Sequence, residues 1–135
     1  MNAGPSHHSI IELENVIITF RKENIIQVYF KNHLFSYSEN VKIFHLIKDM
    51  SPWLIAPILI CGEDYYNHDM KSKHFFASEE LKKKFTAVAF FANNFAQKMV
   101  IQHFIQKHKP KTSTRFFYSE EEAIDWLVGF DASET

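Results

Sequence analysis

TAVAFFANNFAQKMVIQHFIQKHKPKTSTRFFYSEEEAIDWL, residues Thr86 to Leu127, reads as strand, helix, strand, helix. Ala87 to Ala92 is a short unbroken apolar run, the pattern of a parallel strand buried on both faces. Asn93-Asn94 ends it, and Asn94 is placed to cap a helix, with Gln97 three residues on as its capping-box partner. That helix is predicted to reach about Lys107. Its buried face is expected to carry Ala96, Met99, Val100 and Phe104, widened by Ile101 and Ile105. Lys107 and Lys109 suit the negative end of the helix dipole, and Pro110 prevents continuation. Thr114 to Tyr118 is the next strand. Ser119-Glu120-Glu121-Glu122 is an S-x-x-E helix start, after which Ala123, Trp126, Leu127 and Phe130 recur at helical spacing. Two strands joined by a helix of this length imply a βαβ crossover.

Upstream, Val16–Phe20 and Ile25–Phe30 alternate β-branched and aromatic residues around a polar break, Arg21–Asn24, short enough for a hairpin turn. Ser38 is read as the cap of a helix from Glu39 to Met50, with Ile43, Leu46, Ile47 and Met50 at i, i+3, i+4, i+7 spacing. Ser51-Pro52 ends it. Pro57 to Cys61 is a further apolar strand, with Pro57 at its first position, where a missing N–H does least harm. Gly62 to Ser78 reads as a polar loop, and Ser78 as the cap of a short helix through Lys84. The order is therefore ββαβαβαβα, an α/β fold with a mixed sheet of about five strands and one antiparallel edge strand. Residues 1–9 and 131–135 read as loose tails around one domain, 10–130.

The chain has 135 residues, 46% of them hydrophobic and 16% aromatic, enough for one packed domain and contrary to disorder. A formal net charge of -1 gives no global pull toward nucleic acid or anionic membrane. Cys61 is the only cysteine, which excludes an intramolecular disulfide. Met1 to Ser9 has no basic-then-apolar signal pattern, and no run approaches the ~20 apolar residues of a membrane span. A cytoplasmic location is the expectation.

Several residues here match a known pattern: Ala77 to Leu81, Ala87-Val88-Ala89, Lys109-Pro110, Arg115-Phe116-Phe117, and Glu121-Glu122-Ala123 with Trp126-Leu127. With the element order, they resemble small bacterial proteins of the SpoIIAA-like branch of the STAS superfamily, named after sulfate transporters and anti-sigma-factor antagonists. The resemblance spans roughly residues 12 to 128, and its distinctive motifs lie in the last third. It implies a SpoIIAA-like fold and a role in protein–protein regulation. In anti-sigma antagonists, a Ser or Thr at the start of the helix after the third strand is phosphorylated. The corresponding region here, Gly62 to Ser78, lacks their D-S-S/T-G arrangement, which leaves Ser72 and Ser78 as the phosphosite candidates.

The loop after Cys61 follows the carboxyl end of a buried strand, where open α/β sheets place ligand sites. Its candidate partner- or ligand-binding residues are Asp64, Tyr65, Tyr66, His68, Asp69, Ser72, His74 and Phe75. His68, Asp69 and His74 are compatible with a metal, but without a helical ligand pair such as H-E-x-x-H they read as solvated loop residues. His103 reads as a hydrogen-bonded boundary residue. Cys61, followed by Gly62, Glu63 and Asp64, lacks the electropositive setting of a reactive thiol and reads as buried and structural. Lys82 to Lys84, and Lys107, Lys109, Lys111 and Arg115, read as solvated faces rather than a nucleic-acid surface, and Phe116, Phe117 and Tyr118 as core. Glu120 to Glu122 read as dipole complements. Phosphate-cradling and nucleophile-elbow motifs are missing. The reading is thus a noncatalytic bacterial interaction or regulatory domain, without cofactor or metal. It is expected to present the Gly62–Ser78 loop to a protein partner or to a second copy of itself. The alternative is a carrier of an apolar, lipid-like molecule, with Tyr65, Tyr66, Phe75 and Phe76 lining a pocket at the strand carboxyl ends.

Overall fold

The computed structural model describes residues 9–130 and the backbone of Ser133–Glu134. Of the two expected tails, residues 1–8, with His7 and His8, and residues 131, 132 and 135 lie outside this range.

The hairpin forms as its alternation requires. Strands β2 (Val16–Phe20) and β3 (Ile26–Phe30) pair antiparallel, Val16 opposite Phe30 and Phe20 opposite Ile26. The turn between them closes through Asn24, whose φ of 66° is in the left-handed region that Asn tolerates better than most residues. The short strand β1 (Ile10–Glu12) adds to the outer edge of β2, antiparallel. On the other side of β3 lie β5 (Trp53–Gly62), β7 (Phe85–Phe91) and β8 (Thr114–Phe117), each parallel to its neighbour. The sheet order is β1-β2-β3-β5-β7-β8, so six strands stand where the sequence suggested about five. The sixth, β1, has three residues and no alternation long enough to read.

Pro57 sits inside β5 rather than at its start. The register of β5 against β7 shifts between Ala56 and Ile58, and this irregularity absorbs the proline's missing N–H. It also lets the apolar Trp53–Ala56 segment join the strand. The backbone of β9 (Ser133–Glu134) pairs antiparallel with Trp53 and Ile55, so this part of the expected frayed tail is a strand.

Sheet and helices share two cores. On one face Ile18, Phe20, Val28, Phe30, Ile58, Ile60 and Val88 meet helices α1 (Tyr37–Met50), α2 (Met70–Phe76), α3 (Glu79–Lys82) and α4 (Phe95–His108). On the other, Leu59, Ala87 and Ala89 pack against Ala123 and Leu127 of α5 (Glu120–Leu127), together with Ile25 from the hairpin turn. The small side chains Ala87 and Ala89 let α5 lie close to the sheet.

The helix caps are local and mostly as read. Ser78, Asn94 and Ser119 each accept a hydrogen bond from the backbone N–H three residues on. Helix α1 is the exception: its cap is Ser36, in a full capping box with Glu39, and Ser38 lies within the first turn. Helix α4 buries Gln97, Ile101 and Phe104, a face turned from the expected one; Ala96, Met99 and His103 are exposed. Tyr118 is exposed as well, with Lys98 Nζ 5.0 Å from its ring centroid, whereas Phe116 and Phe117 pack against the two cores. Arg115 lies over the ring of Phe117, 4.9 Å from its centroid. Among the described residues no helix is long and apolar enough to cross a membrane.

Candidate functional site

The segment expected as an open polar loop is largely folded. A two-residue strand β6 (Asn67–His68) pairs parallel with β4 (Leu34–Phe35). Helix α2 follows at once, capped by Asp69, whose Oδ1 accepts from Ser72 N at 2.8 Å while Oδ2 accepts from Tyr37 N at 3.0 Å. One carboxylate thus serves the first turns of two helices, and hydrogen bonding from the Ser72 side chain, then from the Ser72 and Tyr37 backbone, holds its pKa below the usual aspartate value.

The eight candidate residues do not converge on one site. His68 is enclosed by aromatic rings: Phe30 at 4.7 Å between centroids, Phe76 at 4.9 Å, Phe35 at 5.4 Å and Tyr66 at 5.9 Å. It is not a solvated loop histidine. Its Nδ1 lies within hydrogen-bond distance, 3.1 Å, of the amide nitrogen of Asn40. The same Asn40 nitrogen donates to Ser72 Oγ at 2.9 Å. Ser72 is fully buried, whereas Ser78 is half-buried, its Oγ donating to the carbonyl of Phe75 at 2.6 Å. Phe75 leans on Tyr37 and Phe44 of α1. His74 is exposed and stands edge-on to His108 of α4 at 4.9 Å. Tyr66 and Phe76 are buried, and the space left beside them, bounded by α4, is about 30 Å³. Of the four aromatics expected to line a carboxyl-end pocket, only Tyr65 faces outward. Among the described residues no group of three or more His, Cys, Asp and Glu is placed to hold a metal ion.

Burial depresses the pKa of His68 to about 3, with Lys73 adding to the effect. The folded protein therefore keeps His68 neutral while the unfolded chain protonates it near 6.5. Between those values the unfolded state binds more protons, so stability falls as pH falls, by up to ~1.4 kcal/mol per pH unit for this group. Urea melts from pH 7 to 4.5 are expected to show that slope, and His68→Gln is expected to flatten it. His108, whose pKa burial also lowers, contributes in the same window. An unchanged slope in His68→Gln would place the acid sensitivity on other groups, His108 among them.

What remains open is a crevice of about 470 Å³ at the carboxyl ends of β3, β5 and β7, lined among others by Tyr29, Asn32, Glu63, Asp64, Tyr65 and Asn94. Its wall is a tight turn built by reciprocal bonds. Asn32 N donates to Glu63 Oε1 and Tyr65 N to Asn32 Oδ1, each at 2.8 Å. Asn94 Nδ2 donates to Asp64 Oδ1 at 3.1 Å. Gln97, read from sequence as a capping partner, instead buries its side chain beneath the turn. Its Nε2 donates to the carbonyls of Asp64 and Tyr66, both at 3.0 Å. Tyr65 is 79% exposed on this turn. The Tyr29 hydroxyl has its pKa raised by burial and by the charge of Glu63. The neighbouring Cys61 is buried, and burial pushes its thiol up to about 12, so it takes no part as a nucleophile.

Asn32 escaped the sequence reading, Glu63 entered it only as a charge beside Cys61, and Asn94 only as a cap. The available signal was their shared position: polar residues just past the apolar runs ending at Phe30, Gly62 and Phe91.

A family model described as "Domain of unknown function (DUF7793)" matches residues 18–131. The chain belongs to this family. The match begins within β2 and takes in all four parallel strands of the sheet and α5. Among solved structures, an uncharacterised protein of the DUF3478 family from Shewanella loihica PV-4, described as having a SpoIIAA-like fold, is similar. It shares 18% identity at a TM-score of 0.56, over 87% of this chain and 97% of that one. The DUF7793 domain thus has a SpoIIAA-like fold, as the C-terminal motifs implied. No curated protein matches it.

Proposed function

We propose that this is a noncatalytic interaction domain of the bacterial cytoplasm. It docks a basic segment of a partner protein in the crevice at the strand carboxyl ends. The observation that supports this reading is Tyr65. A large aromatic side chain 79% exposed on a turn held by side-chain hydrogen bonds is a preorganised anchor, and holding it ready avoids an ordering cost on binding. Glu63 and Asp64 flank it, so the complement is an Arg or Lys that stacks on the ring while its charge meets the carboxylates. The surface presented is therefore the turn 62–65, held by the side chains of Asn32, Asn94 and Gln97.

Tyr65→Ala removes the anchor without touching a core. In-cell crosslinking with mass spectrometry is expected to recover a partner with the parent protein and to lose it with Tyr65→Ala, at unchanged melting temperature. The crosslinked partner peptide should be rich in Arg and Lys. Identical crosslinks from both proteins would sink this reading. Docking on a second copy of the chain would show as a dimer in sedimentation that Tyr65→Ala dissociates.

A further inference from the structure

A second concavity, of about 400 Å³, opens at the opposite end of the sheet. Its floor is Ile26, Ile47, Ala56 and Phe85, all buried, with Trp53 and Phe44 completing it. Lys48 from α1 and Lys83 and Lys84 after α3 stand on its rim. Lys84 reaches Glu80 at 3.7 Å; Lys48 and Lys83 have no ion pair among the described residues. An apolar floor of this volume falls within the ~300–1,000 Å³ range of small-molecule sites. The rim supplies cations from two separate elements. The exposed ammonium groups add attraction for an anionic head, and a cationic one would be repelled by them.

We propose that this amino-end pocket binds a single-chain amphiphile with an anionic head, such as a medium-chain fatty acid. The head lies between Lys48 and Lys83, and the chain runs over Ile47 toward Trp53 and Phe85. The site is separate from the Tyr65 crevice and does not depend on it. It also differs from the carboxyl-end pocket suggested by the sequence, where the aromatic side chains fill the space.

The pocket carries its own reporter. Trp53 lines it, and the other tryptophan, Trp126, packs against Phe117 and Phe130 on α5's side of the sheet. In a Trp126→Phe background, decanoate added below its micelle concentration is expected to shift Trp53 emission saturably. Decyltrimethylammonium and butyrate should leave it unchanged. Lys48→Glu with Lys83→Glu should weaken decanoate binding about tenfold or more, as loss of charge-assisted contacts does. Both lysines are exposed, so folding is not at stake, and a far-UV spectrum checks it. No saturable response to decanoate overturns the proposal. So does an equal response to the cationic amphiphile, or undiminished binding in the double variant. A response to anionic phospholipid vesicles but not to dispersed decanoate would make this a membrane-contact surface, and also overturns it.

Discussion

Replacing Gly62 with alanine is expected to lower the unfolding free energy by about 3 kcal/mol or more, the upper end of what overpacking costs. A Cβ at this position would lie 2.4 Å from the carbonyl oxygen of Phe30 and 2.7 Å from the ring of Tyr66. Neither neighbour can retreat cheaply. The Phe30 carbonyl accepts from Glu63 N at 2.9 Å, and it is on the strand that pairs with Gly62. The Tyr66 ring is buried and stacked on Phe30, 5.4 Å between centroids. Relief would mean separating β3 from β5 where the crevice begins, or expelling Tyr66 from the core. Gly129→Ala is the control: its Cβ would meet nothing closer than the Trp126 carbonyl at 3.3 Å. That change is expected to stay within about 1 kcal/mol. Urea melts of the two variants decide the matter. Equal effects would show that backbone freedom, not the close approach, explains Gly62.

Gln97→Leu is expected to cost about 2–6 kcal/mol, because it leaves the Asp64 and Tyr66 carbonyls without their donor at about 1–3 kcal/mol each. The leucine has nearly the same length and remains in an apolar setting beside Ile101, so little of the loss should come from packing. The effect should be local before it is global. Hydrogen exchange at Tyr65, Tyr66 and Asn67 should quicken, while β7 stays protected. Since the same turn presents Tyr65, partner capture should weaken in this variant even where the protein remains folded. If stability drops by less than about 1 kcal/mol, water has replaced the amide and the turn does not need Gln97.

The elements most legible in the sequence were those decided by near neighbours. Ser78, Asn94 and Ser119 cap helices through hydrogen bonds spanning three residues, and a window of that length contains all the information needed. The hairpin followed from alternation on both sides of one polar break. The reading of Ser38 as a cap failed because two serines stand two residues apart; the glutamate three residues after Ser36 distinguishes them. Asp69 was harder. Its helix has seven residues, too short for a clear period, and half of its capping role is toward Tyr37 at a separation of 32 residues.

The candidate site was legible as a place and not as a set of residues. That the segment after Cys61 borders the carboxyl end of the sheet followed from chain order alone. Which of its side chains face solvent did not. Asn40 meets His68 across 28 residues and Gln97 meets the turn across 31 to 34. A polar residue in such a stretch reads as solvated until its distant partner is known.

The sequence by itself determined the alternation of strands and helices, and most of the caps, because these depend on side-chain periodicity and on backbone groups a few residues away. Only the tertiary structure decided that Tyr66 and Ser72 are interior, that His68 is walled by aromatic rings, that Tyr65 alone of its aromatic neighbours is presented, and that an apolar pocket lies at the amino end of the sheet. Each of these depends on which surfaces remain uncovered once the helices have packed, and that is a property of the whole fold and not of any window along the chain.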